Sequence, residues 1–227
     1  DGNLVISGGR NLADEYINQR IRFGHWKDNA IVLRGEAVWS MTVMFLSLWD
    51  YVRDVEDNIP AFRPPEFQLD STGYVQPYTD NPLDDEPVGG AVYSGLISRA
   101  KKYIHIMTPY LIIDYAMMQS LTNAAKSGVE VVILTPHIPD KWYVHAVTRA
   151  HYEELVKAGV KVYEYTPGFL HAKVFCVDGI YATVGTVNLD YRSLYLHFEN
   201  GIFLCRADCI PKIEEDMQET IAHSQEI

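Results

Sequence analysis

The chemistry-bearing residues sit in the last third of the chain. His171-Ala172-Lys173 sets an imidazole and an ammonium two residues apart, so in an extended segment both point to one face. Asp178 is an odd number of residues from both and should face away, which suits a structural role. Asp178-Gly179 is a hairpin signal. The returning strand, ending at Gly185, delivers Thr186 and Asn188 near the same edge. Ammonium, hydroxyl and amide are all donors suited to phosphate oxygens. A neighbouring imidazole can attack phosphorus or move a proton. An acid such as Glu199, bonded to the other ring nitrogen, would fix the tautomer of His171. A lone His-x-Lys usually marks a surface strand, and a lone Gly-Thr-x-Asn a turn. Their conjunction at fixed spacing favours chemistry.

Self-comparison strengthens that reading. Asp178-Gly179 is followed by an apolar strand and Gly185-Thr186-Val187-Asn188-Leu189. Asp1-Gly2 is followed by an apolar strand and Gly8-Gly9-Arg10-Asn11-Leu12. Each copy then has an acid before a further apolar strand, Asp28 in the first and Glu199 in the second. His171 and Lys173 lie seven and five residues before Asp178; the equivalent positions of the first copy would lie before Asp1. A chain opening on a turn dipeptide is read as a C-terminal piece.

The elements that must position these residues follow from periodicity. Strands are predicted over 4–6 and 29–33, and a helix over 36–53, read as a core helix rather than a membrane-touching one. Residues 54–87 hold six of the eleven prolines, with nine acidic residues against one arginine. This stretch reads as a connecting segment with some extended structure. Beyond it come a helix over 91–102, a strand over 103–107, a helix over 115–127 stopped by Gly128, and a strand over 129–134. A helix over 141–158 stopped by Gly159, a strand over 160–165, two hairpin strands within 171–185, a strand over 201–205 and a helix over 210–222 complete the series. This βαβαβ spacing implies an α/β fold with a mixed, mainly parallel sheet flanked by helices. Three regions result: 1–53 as the C-terminal part of a first domain, 54–87 as connector, and 88–227 as one complete domain.

Composition sets limits. The 227 residues carry a net charge of −11, which argues against a general nucleic-acid binder. Much of the acidity belongs to the connector, so a local phosphate site is not excluded. Three cysteines make no disulfide framework, and Cys205 and Cys209 lack the histidine partners of a zinc site. No metal or cofactor is expected. His105, His137, His145 and His151 show no ligand spacing. Gly89-Gly90 reads as a helix entry, since no Lys-Ser/Thr follows. The longest apolar stretch, 37–49, is shorter than the roughly 20 residues of a membrane span.

Residues 171–188 spell His-x-Lys-x4-Asp-x6-Gly-Thr-x-Asn, which resembles the HKD signature of the phospholipase D superfamily. The likeness extends to bacterial cardiolipin synthases through Pro167-Gly168-Phe169-Leu170-His171-Ala172-Lys173, Thr186-Val187-Asn188-Leu189-Asp190-Tyr191-Arg192-Ser193, Gly8-Gly9-Arg10-Asn11-Leu12-Ala13-Asp14-Glu15-Tyr16, Phe23-Gly24-His25-Trp26-Lys27-Asp28 and Thr108-Pro109-Tyr110-Leu111. His197 departs, standing where the pattern has Asn, which bears on the hydrogen bonds behind the site. The resemblance implies a phospholipase D-like fold in which two HKD copies share one active site. One histidine, usually that of the first copy, becomes a phosphohistidine, leaving His171 as general acid/base. Lys173, Thr186 and Asn188, with Asn11 from the first copy, would hold the phosphate. Asp28, Asp178 and Gly185 would support them. The implied reaction joins two phosphatidylglycerols into cardiolipin with release of glycerol, without metal. It further implies a parent at the cell membrane, anchored through a part this chain lacks, with its active domains facing the cytoplasm. This chain alone would be soluble and inactive, or would pair two second-copy motifs in a homodimer. Hydrolysis by water, a nuclease, or a non-catalytic phosphate-binding module are the alternatives.

Overall fold

The computed structural model describes residues 2–64 and 71–227. Asp1 of the opening dipeptide and residues 65–70 of the connector lie outside them. In chain order the elements are β1 (Leu4–Gly8), β2 (Ala30–Arg34), α1 (Ala37–Arg53), β3 (Tyr74–Asp80), α2 (Val88–Arg99), β4 (Tyr103–Met107), β5 (Leu111–Ile112) and α3 (Tyr115–Lys126). There follow β6 (Glu130–Pro136), α4 (Trp142–Ala150), α5 (Tyr152–Lys157), β7 (Lys161–Tyr165), β8 (Val174–Val177) and β9 (Tyr181–Gly185). The series ends with β10 (Leu189–Asp190), α6 (Tyr191–Tyr195), β11 (Glu199–Cys205), α7 (Ile210–Ala222) and β12 (Ser224–Glu226).

An eight-stranded sheet in the order β12-β7-β6-β4-β8-β9-β11-β3 forms the body. The βαβαβ run gives the parallel trio β4, β6 and β7. The sheet is mixed: its remaining neighbours pair antiparallel, β8 with β9 through a hairpin turn and the others across longer stretches of chain. Helices cover both faces. One apolar cluster gathers Leu96, Met117, Leu121, Leu155 and Phe175 under α2, α3 and α5. The other gathers Val132, Val184, Ile202 and Met217 under α7. The expected helix over 141–158 is two, divided at His151, whose N–H turns back to the Thr148 carbonyl. Gly128 and Gly159 take the left-handed conformation that stops a helix, with φ of 91° and 96°.

The acidic, proline-rich stretch contains a strand. β3 runs antiparallel along the whole of β11, from Glu199↔Asp80 to Cys205↔Tyr74. Its proline, Pro77, lies on the sheet's edge, where a missing N–H costs no ladder bond. Asp80 ends it buried, accepting from the Gly89 N–H at 2.7 Å, so Gly89-Gly90 is indeed a helix entry.

The repeat is structural as well as sequential. β1 and β2 pair antiparallel with Gly8 opposite Ala30, and β9 and β11 pair the same way with Gly185 opposite Gly201. At both glycines a Cβ would overlap the facing strand's backbone, at Asn29–Ala30 and at Asn200–Gly201. Each second strand ends in a left-handed residue, Gly35 (φ 92°) or Arg206 (φ 52°), and leads into a helix. The β1–β2 ribbon lies on the sheet, its Leu33 joining the cluster of Val184 and Ile202. Ser7 donates to Asn200 at 2.9 Å.

Candidate active site

His171, Ala172 and Lys173 precede β8 in an extended lead-in rather than lying within the strand. Alternation still governs them. Leu170, Ala172 and Val174 enter the core, each contributing roughly 1–3 kcal/mol by burial, while His171 and Lys173 take the other side. The lead-in is held by a first-copy segment. His25 and Lys27 donate backbone N–H groups to Pro167 and Phe169, both at 2.9 Å, and His171 donates to the Lys27 carbonyl at 2.7 Å. Gly24 and Gly168 allow this approach; a Cβ on either would overlap the other segment's backbone. An ion pair from Lys27 to Asp216 ties the segment to α7.

This pairing decides the partner of His171. Its Nδ1 lies 2.8 Å from Oδ2 of Asp28, which is buried. Glu199, the acid expected there, is elsewhere: the β9–β11 register sets it beside Thr186, whose hydroxyl donates to it. The acid holding the second-copy imidazole comes from the first copy. Burial pushes the Asp28 carboxyl up, but the hydrogen bond from His171 and the Lys173 charge outweigh it and hold the group below its ordinary value. His171 is pushed down by burial, against the opposing pull of Asp28. A neutral ring donating from Nδ1 to Asp28 leaves its lone pair on Nε2, the atom a nucleophile or base needs. Trp26 packs on the ring at 4.9 Å between centroids, and Phe169 at 5.9 Å. Trp26 therefore belongs to the site, although no residue type or spacing singled it out beyond the family-like run containing it.

Lys173 is buried, and its ammonium donates to the His171 carbonyl. Burial depresses it to about 7, against the attraction of Asp28, Glu199, Asp190 and Asp140. Gly9, the first-copy equivalent of Thr186, makes room for it: a Cβ there would lie 2.8 Å from Nζ. Asn188 donates to Ser193 at 2.9 Å, and its Oδ1 is buried with no partner among the described residues. Thr186 gives its one proton to Glu199, so it can donate to a phosphate only by exchanging partners. Glu199 is raised by burial, partly offset by hydrogen bonds from Thr186 and Ser193. His197 sits 3.6 Å from Glu199. Asn11 is exposed two residues beyond Gly9. Asp178 faces away as expected. In the left-handed conformation (φ 56°), it accepts the backbone N–H groups of Lys101, Lys102 and Tyr103 at 2.7–2.9 Å.

Two further groups were not anticipated as site residues. Tyr110 donates to Asp140 at 2.7 Å, and the Asp140 charge acts on both His171 and Lys173. Glu164, buried on β7, takes two bonds from Arg149 at 2.6 and 2.8 Å and one from His137 at 2.8 Å. This is a satisfied structural cluster. No grouping of His, Cys, Asp and Glu able to hold a metal occurs among the described residues.

A neutral imidazole oriented by a carboxylate, beside a buried lysine at the start of the central strand β8, is an arrangement suited to nucleophilic or acid–base chemistry. Residues 93–221 match the family described as cardiolipin synthase, PLD-like domain, and the chain belongs to that family. It is 38% identical over 228 residues to a cardiolipin synthase of Geobacillus kaustophilus, covering all of this chain and 45% of that protein. It is 48% identical over 227 residues to a Streptococcus mutans protein described as uncharacterized, covering 49% of it. The chain thus spans about half the length of the curated relatives it matches. In fold it resembles the phosphatidylserine synthase of Haemophilus influenzae, with a TM-score of 0.75 and 18% identity over all of this chain and 61% of that one.

Proposed function

We propose that this chain supplies one half of a phosphatidyl-transfer site that makes cardiolipin from phosphatidylglycerol. The observation that carries the reading is the Asp28–His171–Lys173 constellation, a neutral nucleophilic nitrogen beside a phosphate-seeking cation. By the repeat, Glu199 stands where Asp28 stands, so it would hold the imidazole of the other copy as Asp28 holds His171. Lys173 and Asn188, with Thr186 and Asn11, would bind the phosphate.

The reaction is two displacements. One imidazole nitrogen attacks phosphorus, the bond to glycerol oxygen breaks, and the departing alkoxide takes a proton from the other imidazole. The hydroxyl of a second phosphatidylglycerol then gives that imidazole its proton and attacks phosphorus as the P–N bond breaks. We assign His171 the proton-transfer role in the intact enzyme: it must enter the first displacement as the imidazolium, protonated on Nε2, and leaves that step as the neutral ring whose Nδ1 stays bonded to Asp28. Its free Nε2 also suits attack, and one experiment decides. Intact protein is quenched with denaturant at mildly alkaline pH, which preserves the acid-labile P–N bond, during turnover of dispersed short-chain phosphatidylglycerol, and the modified histidine is mapped by mass spectrometry under the same conditions. Modification outside this chain, with turnover lost in His171→Ala, supports the assignment. Modification at His171 reverses the two roles. No phosphohistidine on either copy, with turnover intact, overturns the mechanism. Products from water alone would make the enzyme a hydrolase.

A further inference from the structure

The groups assigned to the phosphate are donors, and the acids Asp28 and Glu199 are assigned to imidazoles. One further carboxylate does neither. Asp140 lies on the turn between β6 and α4, and its charge pulls upward on both His171 and Lys173. Tyr110 holds it there. The Tyr110 ring packs 6.3 Å from Phe169, as Phe169 packs 5.9 Å from His171. Tyr110 is fixed in turn: the Thr108 hydroxyl donates to its carbonyl at 2.8 Å and accepts from the Leu189 N–H at 3.1 Å, next to Asn188. The usual work of an acid before a helix is capping, but Asp140 accepts no backbone N–H of α4. Tyr110 donates to Oδ2 at 2.7 Å and Lys141 stands 3.8 Å from the same oxygen, so Oδ1 accepts nothing among the described residues. A carboxylate near a phosphate repels it. This one weakens the hold on the reacting group unless it meets proton donors that the substrate carries.

We propose that Asp140 is the specificity-determining residue of an alcohol subsite on the His171 side of the reaction, where its free carboxylate oxygen holds one hydroxyl of a neutral polyol headgroup while a neighbouring hydroxyl faces phosphorus. The proposal rests on the reading of His171 as the proton-transfer group of a phosphatidyl transferase. The alcohol leaves and arrives beside that imidazole, so one subsite serves both displacements. Departing glycerol takes its proton from His171, and the incoming glycerol hydroxyl gives that proton back as it attacks. Tyr110 gives its only proton to Asp140, so the pair presents lone pairs alone, the complement of hydroxyl groups. A cationic amino alcohol would also suit a carboxylate beside an aromatic face. Lys141 already stands over that ring, 5.7 Å from its centroid, and its ammonium repels a second cation. The choice falls on a neutral diol.

The test is acceptor competition in the intact protein. Dispersed short-chain phosphatidylglycerol is turned over with isotope-labelled glycerol, 1-propanol and ethanolamine together at neutral pH. Initial rates of the three phosphatidyl products are read by mass spectrometry. 1-Propanol has the reacting hydroxyl and lacks the second one. The parent is expected to favour glycerol over both competitors. Asp140→Ala is expected to lower the glycerol-to-propanol ratio about tenfold, the loss of one hydrogen bond to a charged acceptor. Asp140→Asn, which keeps the shape, is expected to lower it less. Lys141→Ala is expected to raise the ethanolamine share and to leave the glycerol-to-propanol ratio as it is. Misfolding, or loss of the Asp140 field on His171 and Lys173, lowers all products together and moves no ratio. A ratio unchanged in Asp140→Ala, or a parent indifferent to the second hydroxyl, overturns the subsite while the transfer reading stands. An ethanolamine share that does not rise in Lys141→Ala overturns the exclusion of cations. No transfer to any of the three alcohols by the parent overturns the transfer reading, and the subsite with it.

Discussion

At the scale of single residues, the site turns on two depressed bases and one carboxylate. Asp28 pulls the His171 pKa up, while burial under Trp26 and Phe169 pushes it down further. Asp28→Asn removes the upward pull, so the His171 titration should move to still lower pH in ring-nitrogen NMR; an upward move contradicts the pairing. Burial holds Lys173 down at about 7, so above that pH its neutral form gains population. An anion bound beside it would restore the ammonium. Inorganic phosphate binding at pH 8 should therefore take up a proton, visible as a buffer-dependent enthalpy in calorimetry. Lys173→Arg, charged throughout, should bind without that uptake. The donors were legible because strand alternation relates residues two apart. The carboxylate partner was not, because Asp28 lies 143 positions from His171 and only a backbone pairing between copies brings it there. Spacing identified Asp28 and Glu199 as equivalents without revealing that Asp28 reaches the other copy's histidine.

At the scale of elements, the site depends on how one extended segment lies against another. Gly24 and Gly168 let residues 24–28 run beside 167–171. Gly168→Ala should force them apart, destabilising the chain by about 1–3 kcal/mol and loosening Asp28 from His171. A falling Tm checks the first consequence, and loss of the slowly exchanging Nδ1 proton signal of His171 in NMR checks the second. A second pH-sensitive contact holds α7 to the sheet. Glu214 is pushed up by burial but brought down to about 2 by hydrogen bonds, chiefly from His105 at 2.7 Å. Its carboxylate is lowered in the folded state, so this stability is complete above about 4.5 and lost as the pH falls toward 2. Glu214→Gln should flatten the acid-unfolding curve in that window. Most of the helices and strands were legible from periodicity. β3 was not: it is an edge strand with a proline and a terminal acid, and only Tyr78 and Asp80 of its seven residues are buried. Local composition resembles a linker there because the pairing that makes it a strand, to β11, is more than a hundred residues away.

At the scale of the molecule, the repeat underlies the proposal that this chain supplies half a site. β1, β2 and α1 reproduce β9, β11 and α7, down to the glycine contacts and the left-handed residue before each helix. Gly9 in place of Thr186 breaks the equivalence where Lys173 needs space. Only the His-x-Lys at 171–173 is followed by the Asp and Gly-Thr-x-Asn of the full signature, whereas the proposed pair of displacements requires two imidazoles. A second copy of this chain could offer another His171, which a homodimer would have to bring against Glu199, as Asp28 meets the first. The chain alone should therefore form no cardiolipin from phosphatidylglycerol, judged by mass spectrometry of the lipid products. If it does, the dependence on protein concentration identifies the source. Activity rising with the square of the concentration, together with a dimer in light scattering, would mean that two second-copy motifs meet. Activity linear in concentration would mean that one imidazole suffices, and the two-copy mechanism would fall.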